Sequence, residues 1–175
     1  MQGTPHDNYA TLRAGELDLV LVTSWDLDDL DGIETVKLLE DELFLALPRT
    51  HPLANRKRLA MTDLAHEPWI EGAHPDCLGP LDQLARLIGA PPRIGFHCDD
   101  WTGKQALVAA GLGITLYPRL ALGAPRPDIA VRPLPRSLPS RDIYAAFPAD
   151  HRAPAVHAML ACLRESAARG HDIAA

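Results

Sequence analysis

The run ALVAAGLGITLYP, Ala106–Pro118, constrains the fold more than any other stretch of this chain. Ala106 to Ala110 are good helix formers with an apolar face. Gly111 falls where a helix ends in a left-handed cap, a conformation glycine adopts without steric cost. Gly113 lets the backbone pass close to a neighbour. Ile114–Tyr117 is a short β-branched and aromatic run, which Pro118 closes. Helix, glycine turn and buried strand make half of a parallel αβ unit, so the sequence predicts an α/β fold.

The rest of the chain repeats this alternation. Thr4 reads as an N-cap with Pro5 at the first helical position, and the helix runs to Ala14 and stops at Gly15. Leu17–Val22 is nearly continuous apolar sequence, which suits a parallel strand covered on both faces. Thr23–Gly32 is a polar, acidic loop. Val36–Leu39 and Glu42–Leu47 read as strands joined at Glu40–Asp41. Arg49–Arg58 is a loop in which His51 is held extended by Pro52. Thr62 caps a single helical turn. Trp69–Ile70 opens a strand that ends at Gly72. Leu78–Ile88 is an amphipathic helix with Leu81, Leu84, Ala85 and Ile88 on one face, and Gly89 ends it. Arg93–Cys98 is a strand, and the loop Asp99–Gly103 leads into the Ala106 helix. Arg119–Leu122 is a helical turn, and Ile129–Leu134 and Asp142–Phe147 are strands. Ala153–Arg169 is a last helix, with Val156, Met159, Leu160 and Leu163 toward the core. Trp69 and Tyr117 read as core.

Composition narrows the function. The 175 residues carry a net charge of −6 with a pI near 5.7, which argues against a basic face that could hold phosphate backbones. Cys77, Cys98 and Cys162 are odd in number and follow no paired spacing, so they read as free thiols of a reducing compartment. The first ten residues have no apolar signal-peptide core, and no apolar run is long enough to cross a membrane. A cytoplasmic protein that meets small molecules or other proteins is expected, with no membrane partner.

Catalytic and metal patterns are weak. The acidic loop Asp26-Leu27-Asp28-Asp29-Leu30-Asp31-Gly32 fails the calcium-loop register, because its fifth position is Leu30 and its sixth is Asp31. A solvated loop is the expectation there. His74, Asp76, Cys77, His97 and Cys98 could form a thiol nucleophile or a zinc site, but repeated C-x-x-C spacing does not occur. Cys98 reads as a small buried apolar residue. No phosphate-binding glycine loop, no G-x-S-x-G and no paired catalytic carboxylates are found. Neither enzymatic activity, nor a cofactor, nor a metal is expected.

Ligand-binding points stand out more clearly. In open α/β sheets, ligands sit beyond the carboxyl ends of strands, where helix N-termini offer free N–H groups and partial positive charge. Three such points follow from the strand assignments: Thr23, Ser24 and Trp25 after Val22; Gly72, Ala73 and His74 after Ile70; and Asp100, Trp101 and Thr102 after Cys98. Thr4 makes a fourth. As alternatives, Thr4 and Thr102 are simple helix caps, and Trp101 is core.

Three stretches carry a family resemblance: LRAGELDLVLV (Leu12–Val22), ELFLALPRTHPLA (Glu42–Ala54) followed by EPWIEG (Glu67–Gly72), and LVAAGLGITLYPRLA (Leu107–Ala121). In this order they resemble the effector-binding domain of LysR-type transcriptional regulators. The resemblance implies a two-lobed, periplasmic-binding-protein-like (type 2) domain. Lobe I would be residues 1–42 and 143–175, and lobe II residues 43–142. The opening strand-helix-strand of lobe I and the winged helix-turn-helix have no counterpart here, which would leave the flank of the Leu17–Val22 strand exposed. The implied function is that of a sensor. A small, anionic effector such as a carboxylate would bind between the lobes, lined by Thr4, Thr23, Ser24, Gly72, Ala73, His74, Asp100, Trp101 and Thr102. DNA would be reached only through the helix-turn-helix, and effector domains would pair as a homodimer. A free-standing solute-binding protein of the same fold and a truncated, non-functional regulator are the alternatives.

Overall fold

The computed structural model describes residues 5–72, 78–135, 141–150 and 153–172. In chain order the elements are α1 (Pro5–Arg13), β1 (Val20–Thr23), β2 (Ile33–Asp41), β3 (Leu43–Pro48), β4 (Pro68–Glu71), α2 (Leu81–Ile88), β5 (Arg93–His97), α3 (Trp101–Ala109), β6 (Thr115–Pro118), β7 (Ile129–Pro133), β8 (Arg141–Pro148) and α4 (Pro154–Asp172). Short 3-10 turns at Ser24–Asp26, Met61–Leu64 and Arg119–Ala121 join some of them. The chain divides into two units, one of Met1–Asp41 with Arg141–Ala175, the other of Glu42–Ser140.

In the first unit β8 lies between β1 and β2 and runs antiparallel to both. This corrects the parallel strand expected over Leu17–Val22. A continuous apolar run reports burial rather than strand direction, and here the covering is unequal. Val20 and Val22 point inward onto Tyr9 and Leu12 of α1, whereas Leu21 is 52% exposed. Fully burying a valine of this kind contributes about 1.5–3 kcal/mol. Among the described residues no strand pairs with the outer flank of β1. The opposite face of the sheet buries Ala145 and Phe147 under Val156 and Leu160 of α4. Met159 does not join them. It is 53% exposed and lines an apolar groove of about 430 Å³ with Leu17, Leu19 and Leu21.

In the second unit β3 is central to the order β6-β3-β7, antiparallel to both neighbours, and β4 and β5 form a parallel pair. The two sheets meet where Ile114 bridges Trp69 in parallel, with Ile70 N–H donating to Ile114 O and Ile114 N–H to Pro68 O, both at 2.8 Å. The Ala106–Pro118 stretch is therefore parallel at Ile114 and antiparallel from Thr115 on, where the sequence suggested a parallel unit throughout.

The turn between α3 and β6 takes the form its glycines allow. Leu112 N–H returns to Leu107 O at 3.2 Å and Gly111 N–H to Val108 O at 2.9 Å, a Schellman closure with Gly111 at φ +77°. Gly113 serves another purpose. A Cβ there would stand 2.7 Å from Pro68 O, so a side chain would push β4 off the Ile114 bridge. α3 itself begins at Trp101, earlier than the loop expected to Gly103, because Asp100 caps it. α2 begins later than Leu78, after Gly79 and Pro80.

Candidate functional site

β1 in the first unit and β4 and β5 in the second deliver their carboxyl ends to connecting turns, and most of the anticipated ligand residues lie there. Thr4, Ala73 and His74 fall outside the described residues, and so does Cys77.

After β1, the chain turns through Ser24–Asp26. Thr23 N–H and Oγ1 both donate to Asp26 Oδ2, at 2.8 and 2.7 Å, while Thr23 Oγ1 accepts Trp25 N–H at 3.3 Å. This reciprocal cap consumes the Thr23 hydroxyl. Asp26 is 7% exposed, so the acidic loop is not wholly solvated as expected: its first aspartate is a structural cap. Its Oδ1 is buried without a partner among the described residues. Tyr9 Oη donates to Asp26 O at 2.8 Å, and burial first, then the Asp26 and Asp28 charges, push the phenol up to about 12. Ser24 Oγ accepts the Asp142 N–H at 3.2 Å.

After β4, Gly72 is buried and its carbonyl accepts a hydrogen bond from His97 Nδ1 at 2.9 Å. Glu71, one residue earlier, is 1% exposed and accepts the Leu78 N–H through Oε1 at 2.9 Å.

After β5, Asp100 is the N-cap of α3 and accepts the Gly103 N–H. Thr102 is therefore not the cap: it is exposed in the first turn. A carboxylate already sits at this helix N-terminus, so the partial positive charge there is satisfied from within the chain. Trp101 is half-buried and stacks at a tilt on Tyr117, ring centroids 4.9 Å apart. It belongs to the core at one edge and is open at the other. Tyr117 is fully buried and donates to Ala121 O at 2.9 Å. Cys98 is half-buried, its Sγ 3.4 Å from Asp100 O, and Cys162 is exposed.

Glu71 and Lys104 escaped the sequence reading. Glu71 closes an otherwise apolar strand, and Lys104 lies one helical turn before the fully buried Val108, a spacing that puts both on one face of α3. Lys104 is 5% exposed. Among the described residues no group of side chains could hold a metal ion, and no helix is long and apolar enough to cross a membrane.

Two α/β units with turn residues gathered at strand carboxyl ends define a small-molecule-binding architecture of the periplasmic-binding-protein-like type 2 class. The chain belongs to the LysR substrate binding domain family, whose model matches residues 1–168. It is thus the effector-binding domain of a LysR-type regulator. It is 32% identical over 147 residues to a hydrogen peroxide-inducible genes activator of Pectobacterium carotovorum subsp. carotovorum, covering 81% of this chain and 47% of that protein. It is 34% identical over 110 residues to the uncharacterized HTH-type transcriptional regulator YybE of Bacillus subtilis (strain 168), covering 62% and 37%. The chain spans less than half the length of these curated relatives. Among solved structures, the effector binding domain of QuiR in complex with shikimate superposes with a TM-score of 0.79 at 24% identity, covering 96% of this chain and 79% of that one. The C-terminal domain of a probable LysR family transcriptional regulator from Rhodococcus sp. RHA1 gives 0.75 at 24%, covering 93% and 81%.

Proposed function

We propose that this chain is the sensing part of a longer transcriptional regulator, one that binds a small effector and has no catalytic step of its own. The family match over residues 1–168 carries the reading, and the relatives it resembles are named as regulators with helix-turn-helix DNA binding or as inducible-gene activators. DNA contact and a homodimer of effector domains belong to that longer protein, which would work in the cytoplasm. Transcription would respond because the effector binds one arrangement of the domain better than another, and it can shift the balance by no more than that difference in affinity.

The effector is a small carboxylate met by strand-end turns, with Gly72, Trp101 and Thr102 as the candidate contacts of the second unit and Ser24 that of the first; Thr4, Ala73 and His74 are candidates outside the described residues. Thr23 and Asp100 instead hold those turns in shape. The shikimate of the QuiR structure, a carboxylate with several hydroxyls, is of the chemistry that the Thr102 hydroxyl and the Trp101 ring can receive. Because Asp100 already fills the start of α3, the effector carboxylate meets hydroxyls rather than that helix terminus.

A thermal melt of the chain against carboxylates, polyols, amines and aromatics tests this. Carboxylates, shikimate among them, are expected to raise the transition, by about 2.7 kcal/mol at one hundred times Kd, and Trp101→Ala or Thr102→Ala to abolish the rise. A cooperative melt that no carboxylate moves refutes it.

A further inference from the structure

Glu71 is buried at the end of β4, and its carboxyl spans a junction. Oε1 accepts the Leu78 N–H at 2.9 Å, which ties the end of the strand to the residue that leads into α2. Oε2 is buried and has no hydrogen-bond partner among the described residues. The charged and titratable groups that face it are Lys104 from α3 and His97 from β5, and the Gly72 N–H also points its way. His74, Asp76 and Cys77 lie outside the described residues. His97 meanwhile holds Gly72 O, so two titratable side chains fasten the same stretch of backbone.

A carboxylate oxygen without a donor is expensive to bury, and the group can lower that cost by keeping a proton. Burial pushes the Glu71 carboxyl up to about 7, and the opposing pull of the Leu78 N–H, Lys104, the Gly72 N–H and His97 does not reverse it. The ionised form then favours any state in which water reaches Oε2.

We propose that Glu71 is a proton-responsive positioning residue: neutral, it holds the Leu78 amide at the end of β4, and ionised, it lets water reach its carboxyl and releases that amide. The consequence for sensing rests on the function proposed above, because Gly72 is among the effector contacts. A Glu71–Leu78 contact held on the acid side of neutrality makes effector affinity fall as pH rises through 7.

The test needs no effector, so its failure is distinct from failure of the effector reading. Amide exchange at Leu78 is followed in the whole chain from pH 5.5 to 7.5, with the intrinsic pH dependence of exchange divided out. Protection is expected to fall about tenfold across this range in the unaltered chain and to stay level in Glu71→Gln, which keeps an acceptor for Leu78 but cannot ionise. The same slope in both chains overturns the proposal. Should Glu71→Gln not fold, the carbon-13 resonance of the Glu71 carboxyl is titrated in the unaltered chain. A midpoint near neutrality that the Leu78 amide shift follows supports the proposal. A midpoint near 4.5, or a Leu78 shift that ignores it, overturns it.

Discussion

Gly111 and Gly113 stand two residues apart and are needed for different reasons. At Gly111 no atom lies within 4 Å of an added Cβ, but φ is +77°, so Gly111→Ala loses only the left-handed preference, about 1 kcal/mol. At Gly113 the added Cβ meets the Pro68 carbonyl at 2.7 Å and Ile70 Cγ1 at 3.0 Å, so Gly113→Ala forces β4 away and costs about 3 kcal/mol. Urea denaturation of both variants checks the order, and a Gly111 variant less stable than the Gly113 variant contradicts it. Glu71 gives a residue-scale prediction of opposite sign to the usual carboxylate. Its folded pKa, about 7, lies above the 4.5 of an unperturbed glutamate. The native state holds its proton more tightly, so this stability is complete below about pH 4.5 and is lost as pH rises to 7. Denaturation curves at pH 5 and pH 8 should show the unaltered chain losing about 2–3 kcal/mol relative to Glu71→Gln.

At the scale of elements, caps decide where helices begin. Sequence alone put the Ala106 helix behind a loop reaching Gly103. Asp100 instead captures the Gly103 N–H and starts α3 at Trp101, which turns Thr102 outward. Asp100→Ala should cost about 1 kcal/mol by urea denaturation, and Thr102→Ala almost nothing in the absence of ligand. The same substitution tests the charge at this terminus. Without the Asp100 carboxylate, the start of α3 becomes open to an anion, so carboxylate binding in the melt should strengthen rather than weaken.

At the scale of the molecule, the two units are built differently. Glu42–Ser140 is one continuous segment with its own sheets and its own core of Ala46, Ile70, Val108, Tyr117 and Ile129. Expressed as residues 42–140 it should melt cooperatively. The other unit draws its central strand, β8, from the far end of the chain. A chain that stops at Ser140 leaves β1 and β2 with no strand between them, so it should show only the transition of the 42–140 segment in calorimetry. A second transition would mean that β1 and β2 find another partner.

The sequence by itself determined the class of fold and the place of the turns. Alternating apolar runs and glycine stops are local signals, so β4, β6, α2 and the Gly111 closure were legible from residues a few positions apart. The positions of Ser24, Gly72 and Trp101 at strand ends were legible for the same reason. Tertiary structure decided the rest. An apolar run such as Leu17–Val22 carries no label for direction, and only the arrival of β8 from residue 141 onward made β1 antiparallel. Nor does a polar residue announce its partner. Thr23 was spent on Asp26, Asp100 on α3, and Met159 was turned to the surface, because hydrogen bonds and packing are settled between atoms that the chain brings together only once it has folded. Glu71 shows this most directly: its letter says carboxylate, and its burial beside Leu78 pushes that carboxyl up to about 7.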